Sequence, residues 1–165
     1  MFKEIKVTEI PFSVFELKNK WMLVTASKGD QVNTMTASWG GFGIMWNKEV
    51  AFVVIRPQRY TKEFVDNSES FSLSFFNDSF KKQLSYLGST SGRDENKIEK
   101  AGLTVAYEGA TPYFTEAETV ITVKKLYAQP MEENCFIEKD IIDKWYKDKD
   151  FHILYIAEIE KVLQK

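Results

Sequence analysis

Seven short runs along the chain are rich in β-branched and aromatic residues and are separated by polar, turn-forming stretches: residues 21–26, 34–39, 50–55, 71–76, 103–107, 119–127 and 151–159. In Phe71-Ser72-Leu73-Ser74-Phe75 and Thr34-Met35-Thr36-Ala37-Ser38-Trp39, large apolar and small or polar positions alternate with a period of two. Each predicts a strand with one face in a core. The opposite face carries hydroxyls, where a strand facing solvent ordinarily carries Lys or Glu. Apolar residues recur three or four apart in 61–67, 79–87, 94–101 and 140–146, as in Leu84 with Leu87 and Ile141 and Ile142 with Trp145, which predicts short helices. These helices do not alternate regularly with the strands. A doubly wound parallel sheet therefore fits less well than a mainly β, antiparallel barrel or sandwich with short peripheral helices. Residues 129–149 form the most polar stretch and predict an excursion from that sheet.

At 165 residues, with 44% hydrophobic and 28% charged residues, the chain has the composition of a single folded domain, 1–165, and not that of a disordered or fibrous protein. Lys+Arg 22 against Asp+Glu 24 leave a net charge of −2, with no positive surplus to neutralise a phosphodiester backbone, so no nucleic acid partner is expected. One Cys, Cys135, and one His, His152, cannot build a zinc cluster or an intrachain disulfide. The start, Met1-Phe2-Lys3-Glu4-Ile5-Lys6, carries charges where a secretory leader needs an apolar run, and the longest apolar run, 50–55, is far too short to span a bilayer. A cytoplasmic protein with no membrane partner is expected. The aromatic share of 15% suits a β-rich core, a buried interface or a planar ligand, and does not choose among them.

Three segments carry candidate chemistry. Gln31 to Gly41 is a hydroxyl-rich strand running into a glycine pair, a surface that a flat ring can approach closely with Trp39 beside it; it also fits an ordinary barrel strand whose threonines favour β structure. Gly40, Gly41 and Gly43 do not form a dinucleotide fingerprint, because Trp46 stands in the place of the last glycine. Arg56-Pro57-Gln58-Arg59-Tyr60-Thr61 joins an apolar strand to a helix for which Thr61 is a natural N-cap. Two guanidinium groups there make an anion site, most simply for a phosphomonoester, or else a solvated rim beside a proline turn. In Ser89 to Gly102, Asp94 is the expected N-cap and Gly102 the C′ residue of a short helix, with Lys97 one turn in, where it either reaches an anion or only solvates the helix face. His152 has no second His or Cys for a metal site, and no nucleophile elbow accompanies it.

Taken in order and spacing, Asn33 to Trp39, Arg56 to Thr61, Phe71 to Phe75, Ser91 to Lys97 and His152 to Ile159 resemble the flavin reductase-like proteins of the FMN-binding split-barrel fold, the group that includes flavoredoxin. The resemblance spans about residues 24–159. It implies a six-stranded antiparallel split barrel and a homodimer with FMN near the subunit interface. It implies that the strand bearing Asn33, Thr34, Met35, Thr36, Ser38 and Trp39 runs along the flavin, with Asn33 and Trp39 near the isoalloxazine ring. Arg56, Arg59 and Thr61, with Tyr60 between them, are implied at the phosphate end or the approach to it, and Lys97 close to the cofactor. His152 is implied in the same pocket, on the side where a nicotinamide or an electron partner arrives, and is the candidate catalytic residue. Val123 and Ala157 depart from the family pattern, which often has Cys and Gly there; neither touches the implied flavin contacts, the first speaks against a thiol-based role, and the second narrows the space beside its strand by a methyl group at most. The activity implied is an NAD(P)H-dependent flavin oxidoreductase. The alternatives are a flavoredoxin-like electron carrier served by a protein redox partner, and a binding domain without cofactor.

Overall fold

The computed structural model describes all 165 residues. Its strands are β1 (Lys3–Ile5), β2 (Met22–Lys28), β3 (Gln31–Ala37), β4 (Gly40–Met45), β5 (Lys48–Ile55), β6 (Ser70–Phe75), β7 (Val105–Glu108), β8 (Thr111–Phe114), β9 (Thr119–Pro130) and β10 (Ile153–Gln164). Its helices are α1 (Leu17–Lys20), α2 (Tyr60–Asn67), α3 (Lys81–Ser89), α4 (Lys97–Lys100) and α5 (Asp140–Trp145). The main sheet runs β3-β2-β6-β9-β10-β5-β4, every neighbouring pair antiparallel, with β1 added to β10 and β7–β8 as a separate hairpin.

Six strands turn alternate residues into one core: Val24 and Ala26 from β2, Met35 from β3, Val53 and Ile55 from β5, Leu73 and Phe75 from β6, Ile121 and Val123 from β9, and Tyr155 and Ala157 from β10. The sheet thus curls around its own inner face as the six-stranded split barrel that the family resemblance implied. Val123 and Ala157, the two departures from the family pattern, are both fully buried in that core. The split lies between β3 and β4, the two ends of the strand path, which are consecutive in the chain and joined through Ser38 and Trp39 without pairing. At Gly40, with φ +134°, a Cβ would lie 2.2 Å from the Phe52 carbonyl oxygen, so only glycine lets the chain turn out of the seam at this point.

The hydroxyl-bearing strand faces are not solvent faces. A second apolar cluster (Leu23, Leu84, Leu87, Phe114, Val120 and Leu163 among them) covers the outside of the barrel with α3 and the β7–β8 hairpin. The hydroxyls dock those elements. Thr36 donates to the Leu84 carbonyl at 2.5 Å, Ser72 to the Pro112 carbonyl at 2.5 Å, and Ser70 and Thr111 bond each other at 2.8 Å.

Several predicted boundaries shift. β1, β4 and β8 are additional strands, and β10 runs on to Gln164. β4 and β5 join in a tight turn with Trp46 at φ 51° and Asn47 at φ 58°, the paired left-handed residues of a hairpin turn whose twist matches the strands. Helix α2 begins at Tyr60 with Arg59 at the N-cap, so Thr61 is not the cap; it is buried inside the first turn. The 94–101 helix shrinks to α4, and Asn96, whose side chain accepts from Glu99 N, caps it in place of Asp94. Gly102 has φ +69°, the left-handed conformation expected after a helix end. No helix is long and apolar enough to cross a membrane.

Candidate functional site

The seam between β3 and β4 opens into a cleft of about 440 Å³. Met35, Thr36, Ala37, Ser38 and Trp39 form one side, because the end of β3 runs along it. Val54 and Arg56 come from the end of β5, His152 from the entry to β10, and Trp145 from α5 in the excursion. Trp39 makes the aromatic wall: it meets Trp145 edge-on at 5.1 Å and leans over the His152 ring at 5.0 Å. The volume and the flat apolar wall suit a planar ring system.

A smaller pocket of about 190 Å³ adjoins this cleft and shares Met35 and Arg59 with it. Ser89, the last residue of α3, and Thr90, Ser91 and Gly92 of the turn after it line this pocket, with Tyr60 and Thr61 from the start of α2, Asn33 from β3, and Lys97 from α4. Lys97 is only 3% exposed, and its ammonium donates to the carbonyls of Leu87 at 2.8 Å and Thr90 at 2.7 Å. Arg59 donates to the Gly88 carbonyl at 2.8 Å. The other two arginines are neutralised, Arg56 by Asp150 and Arg93 by Glu63, whereas neither Arg59 nor Lys97 has a carboxylate within ion-pair distance. Burial, and then the charge of Arg59, push Lys97 down to about 8; burial also lowers Arg59. A buried cation next to a half-buried one, neither with a counter-ion, is costly for the folded chain, and a bound dianion offsets that cost. The hydroxyls of Thr61, Ser89, Thr90 and Ser91 supply further donors around the same space.

The structure brings most of the predicted residues together, with different parts for some. Asn33 lies in the smaller pocket, away from the ring-shaped cleft, and donates to the Thr61 hydroxyl at 3.0 Å. Thr34 faces away from both pockets: it is fully buried and spent on the Thr25 hydroxyl and the Val24 carbonyl. Thr36 lines the cleft while its hydroxyl holds α3. Arg56 belongs to the larger cleft and not to the phosphate-sized pocket. It is engaged by Asp150 and by the Trp145 carbonyl at 2.9 Å, and so pins the excursion over the seam. Tyr60 carries the Arg93 guanidinium over its ring at 4.4 Å. Lys97 is a buried cation, not a solvated one.

Sequence reasoning did not assign Trp145, Tyr146 and Asp150 to the site. Trp145 and Tyr146 lie on or just after the short helix predicted in the charged excursion and Asp150 directly follows that stretch; the helical period marks an apolar face but not what it packs against, and only the fold returns them to the seam. Ser89, Thr90 and Ser91 were visible as a hydroxyl cluster ending in glycine. His152 is 7% exposed, its Nδ1 2.7 Å from the Tyr146 hydroxyl. Burial first, and the Arg56 charge next, push its pKa down to about 4, so the ring is neutral around pH 7.

The model of the flavin reductase like domain matches residues 15–164. No curated protein matches the chain. Among solved structures, the FMN-binding domain of a flavin reductases-like enzyme from Shewanella baltica superposes with a TM-score of 0.72 at 18% identity, covering 99% of this chain and 77% of its own. Flavoredoxin of Desulfovibrio vulgaris gives 0.70 at 21% identity, over 94% of this chain and 75% of its own. An FMN-binding protein from Thermus thermophilus gives 0.70 at 19% identity, over all of this chain and 82% of its own. At these identities the likeness shows the split-barrel fold. With the domain model matched along nearly the whole length, the chain belongs to the flavin reductase-like family.

Proposed function

We propose that the protein binds FMN, with the isoalloxazine ring in the larger cleft and the phosphate in the smaller pocket, and works as an NAD(P)H-dependent flavin oxidoreductase. This rests above all on the buried Lys97 and the half-buried Arg59, two cations beside a cluster of hydroxyls, without a carboxylate partner. A phosphomonoester dianion matches that charge and those donors. The adjoining cleft with its Trp39 wall matches a flat ring, and three structural neighbours with this fold are an FMN-binding domain, a flavoredoxin and an FMN-binding protein. FMN held there would supply two-electron redox chemistry between a reduced nicotinamide and an acceptor. Trp39 fixes the plane of the ring, Arg59 and Lys97 neutralise the phosphate, and Trp145 limits access from solvent. His152, neutral and facing the cleft, orients by hydrogen bonding.

A second reading, an electron carrier served by a protein partner, draws on the exposed apolar side chains Ile44 on β4, Trp46 in the β4–β5 turn, and Leu126 and Tyr127 on β9, where the Trp46 and Tyr127 rings lie 6.3 Å apart. The same surface suits pairing of two copies of the chain, which light scattering tests. The function itself is tested by the visible spectrum of the purified protein and chromatography of what a denaturant releases, followed by NADH and NADPH oxidation with FMN present. A yellow protein releasing FMN that oxidises either nucleotide supports the oxidoreductase. FMN without nucleotide oxidation leaves the carrier, and no affinity for added FMN rejects both.

A further inference from the structure

Tyr146 is the hub of the excursion. Only 4% exposed, it packs its ring on Phe151 at 5.0 Å and Phe136 at 5.6 Å, with the Arg56 guanidinium above it at 5.2 Å. Its hydroxyl is 2.7 Å from His152 Nδ1 and 3.8 Å from the Met131 sulfur. One proton therefore has two acceptors to choose between. An imidazole nitrogen is a far stronger acceptor than a thioether or a phenol oxygen, a phenol is the stronger donor of the pair, and the distance to nitrogen is short while that to sulfur is long. The Tyr146 hydroxyl accordingly donates to Nδ1, and the remaining ring proton of the neutral His152 is on Nε2.

Nε2 has no partner within the chain, and the only buried side-chain nitrogen or oxygen left without one is Ser74 Oγ. Nε2 is therefore open to solvent, and the space His152 lines is the cleft. Trp39, leaning on the ring at 5.0 Å, and Tyr146, edge-on at 5.5 Å, hold the imidazole between them. The charged groups around it are Arg56, which lines the same cleft, and Asp150, which Arg56 neutralises.

From this geometry we infer that Tyr146 is a positioning residue that locks His152 as its Nε2–H tautomer, so that the cleft presents a permanent neutral donor, matched to a carbonyl oxygen of the ligand, in place of a proton-transfer base. The inference deepens the FMN reading and, for its ligand half, rests on it. Two carbonyl sources share this chemistry: the flavin ring and the carboxamide of a nicotinamide.

His152 is the only histidine in the chain, so its ring nitrogens are observable without overlap. Nitrogen NMR of the full-length protein labelled with 15N-histidine, at pH 7 and before ligand is added, should show a pyrrole-type Nε2 and a pyridine-type Nδ1. The reverse pattern, or an average of the two, overturns the lock whether or not FMN binds. Tyr146→Phe, which keeps the buried ring, should turn the fixed pattern into an averaged one, and an unchanged pattern overturns the role of Tyr146. Met131→Leu removes the competing sulfur and should leave the pattern as it was; a switch on that substitution shows that the hydroxyl had served the sulfur, and rejects the inference even if the Tyr146 variant fails to fold. FMN, and then NAD⁺ on top of FMN, are added to the labelled wild type. A shift of the Nε2–H resonance with FMN alone identifies the flavin carbonyl, and one only with NAD⁺ identifies the carboxamide. Bound ligand with no shift in either arm rejects the donor role. In Tyr146→Phe, affinity for whichever ligand moves the signal should fall about 2- to 10-fold, the range of one neutral hydrogen bond.

Discussion

A Cβ placed on Gly92 would lie 2.3 Å from Asn33 Oδ1 and 3.0 Å from its Cγ, so the turn after α3 closes onto β3 only because residue 92 has no side chain. Gly92 is not in the left-handed region, and its requirement is for space, not for backbone freedom. Asn33 cannot easily yield, being 4% exposed and tied through Nδ2 to the Thr61 hydroxyl at 3.0 Å. Gly92→Ala should therefore cost about 1–3 kcal/mol of stability by overpacking and should push the Ser89–Ser91 hydroxyls out of the smaller pocket. Urea unfolding measures the first effect and FMN titration the second. If the clash is the cause, adding Asn33→Ala should restore part of the stability lost, so the two substitutions are non-additive. Simple additivity would locate the damage elsewhere.

Arg59 separates a phosphate site from a general flavin site. It is the one arginine without a carboxylate, and its known partner is a single carbonyl, that of Gly88. Removing a charge-assisted bond to a phosphate costs about 1.5–3 kcal/mol, roughly a 10- to 100-fold loss of affinity. Arg59→Met should weaken FMN by that factor while riboflavin, which has the same ring and no phosphate, changes by less than about 3-fold. Fluorescence titration of the two flavins against the two proteins checks it. An equal loss for both would mean that Arg59 acts on the ring half or on the fold.

How much of this was legible in the chain depends on which kind of signal each residue carries. The strands of the barrel were readable because inner and outer positions alternate, as in Phe71 to Phe75. The hydroxyl face of the same strands was visible too, but its meaning was not: Thr36 and Ser72 bind α3 and the β7–β8 hairpin and Thr34 binds its neighbour strand β2, and nothing local distinguishes a covered strand face from a ligand-binding one. Arg56 and Arg59, three positions apart in one turn, looked equivalent. They differ because Asp150, 94 residues beyond Arg56, reaches back to one of them. The burial of Lys97 comes from the fold of α3 and the turn after it, whose Leu87 and Thr90 carbonyls take its ammonium, whereas helical spacing alone reads as a solvated face. β4 escaped notice because Gly40, Gly41 and Gly43 weaken its β signal, though pairing with β5 decides the matter.

Lys97 makes anion binding depend on pH in a defined direction. In the free protein it titrates at about 8, lowered by burial and then by Arg59. A bound phosphate favours the charged ammonium and raises that pKa, so binding draws in a proton wherever the free protein has lost it. Below about 8 the ammonium is charged in both states and adds no pH dependence. As pH rises above 8, the free protein must be reprotonated to bind, and FMN affinity should fall about 5- to 10-fold between pH 7.5 and 9. Riboflavin should show much less of this slope, and Lys97→Met should abolish it for FMN. A wild-type profile that stays flat through pH 9 would place the phosphate away from Lys97.

His152 gives the fold itself an acid-side dependence. Its pKa is about 4 in the folded chain, lowered by burial and then by Arg56, against an ordinary 6.5 when unfolded. Since the folded value is depressed, the unfolded chain binds the extra proton between these limits. The neutral ring therefore supports the fold fully above pH 6.5, and that support is withdrawn as pH falls toward 4. Because one edge of the ring stays open to the cleft, the loss between pH 7 and 5 should be about 1–2 kcal/mol. Denaturant unfolding at pH 7, 6 and 5 measures it. His152→Gln, which cannot titrate, should remove the slope in this window, where Asp and Glu contribute little because those with a shift here are all lowered. An unchanged slope in that variant would assign the acid sensitivity to the carboxylates instead, and a wild-type slope of zero would show that His152 is as free to protonate in the folded protein as in the unfolded chain.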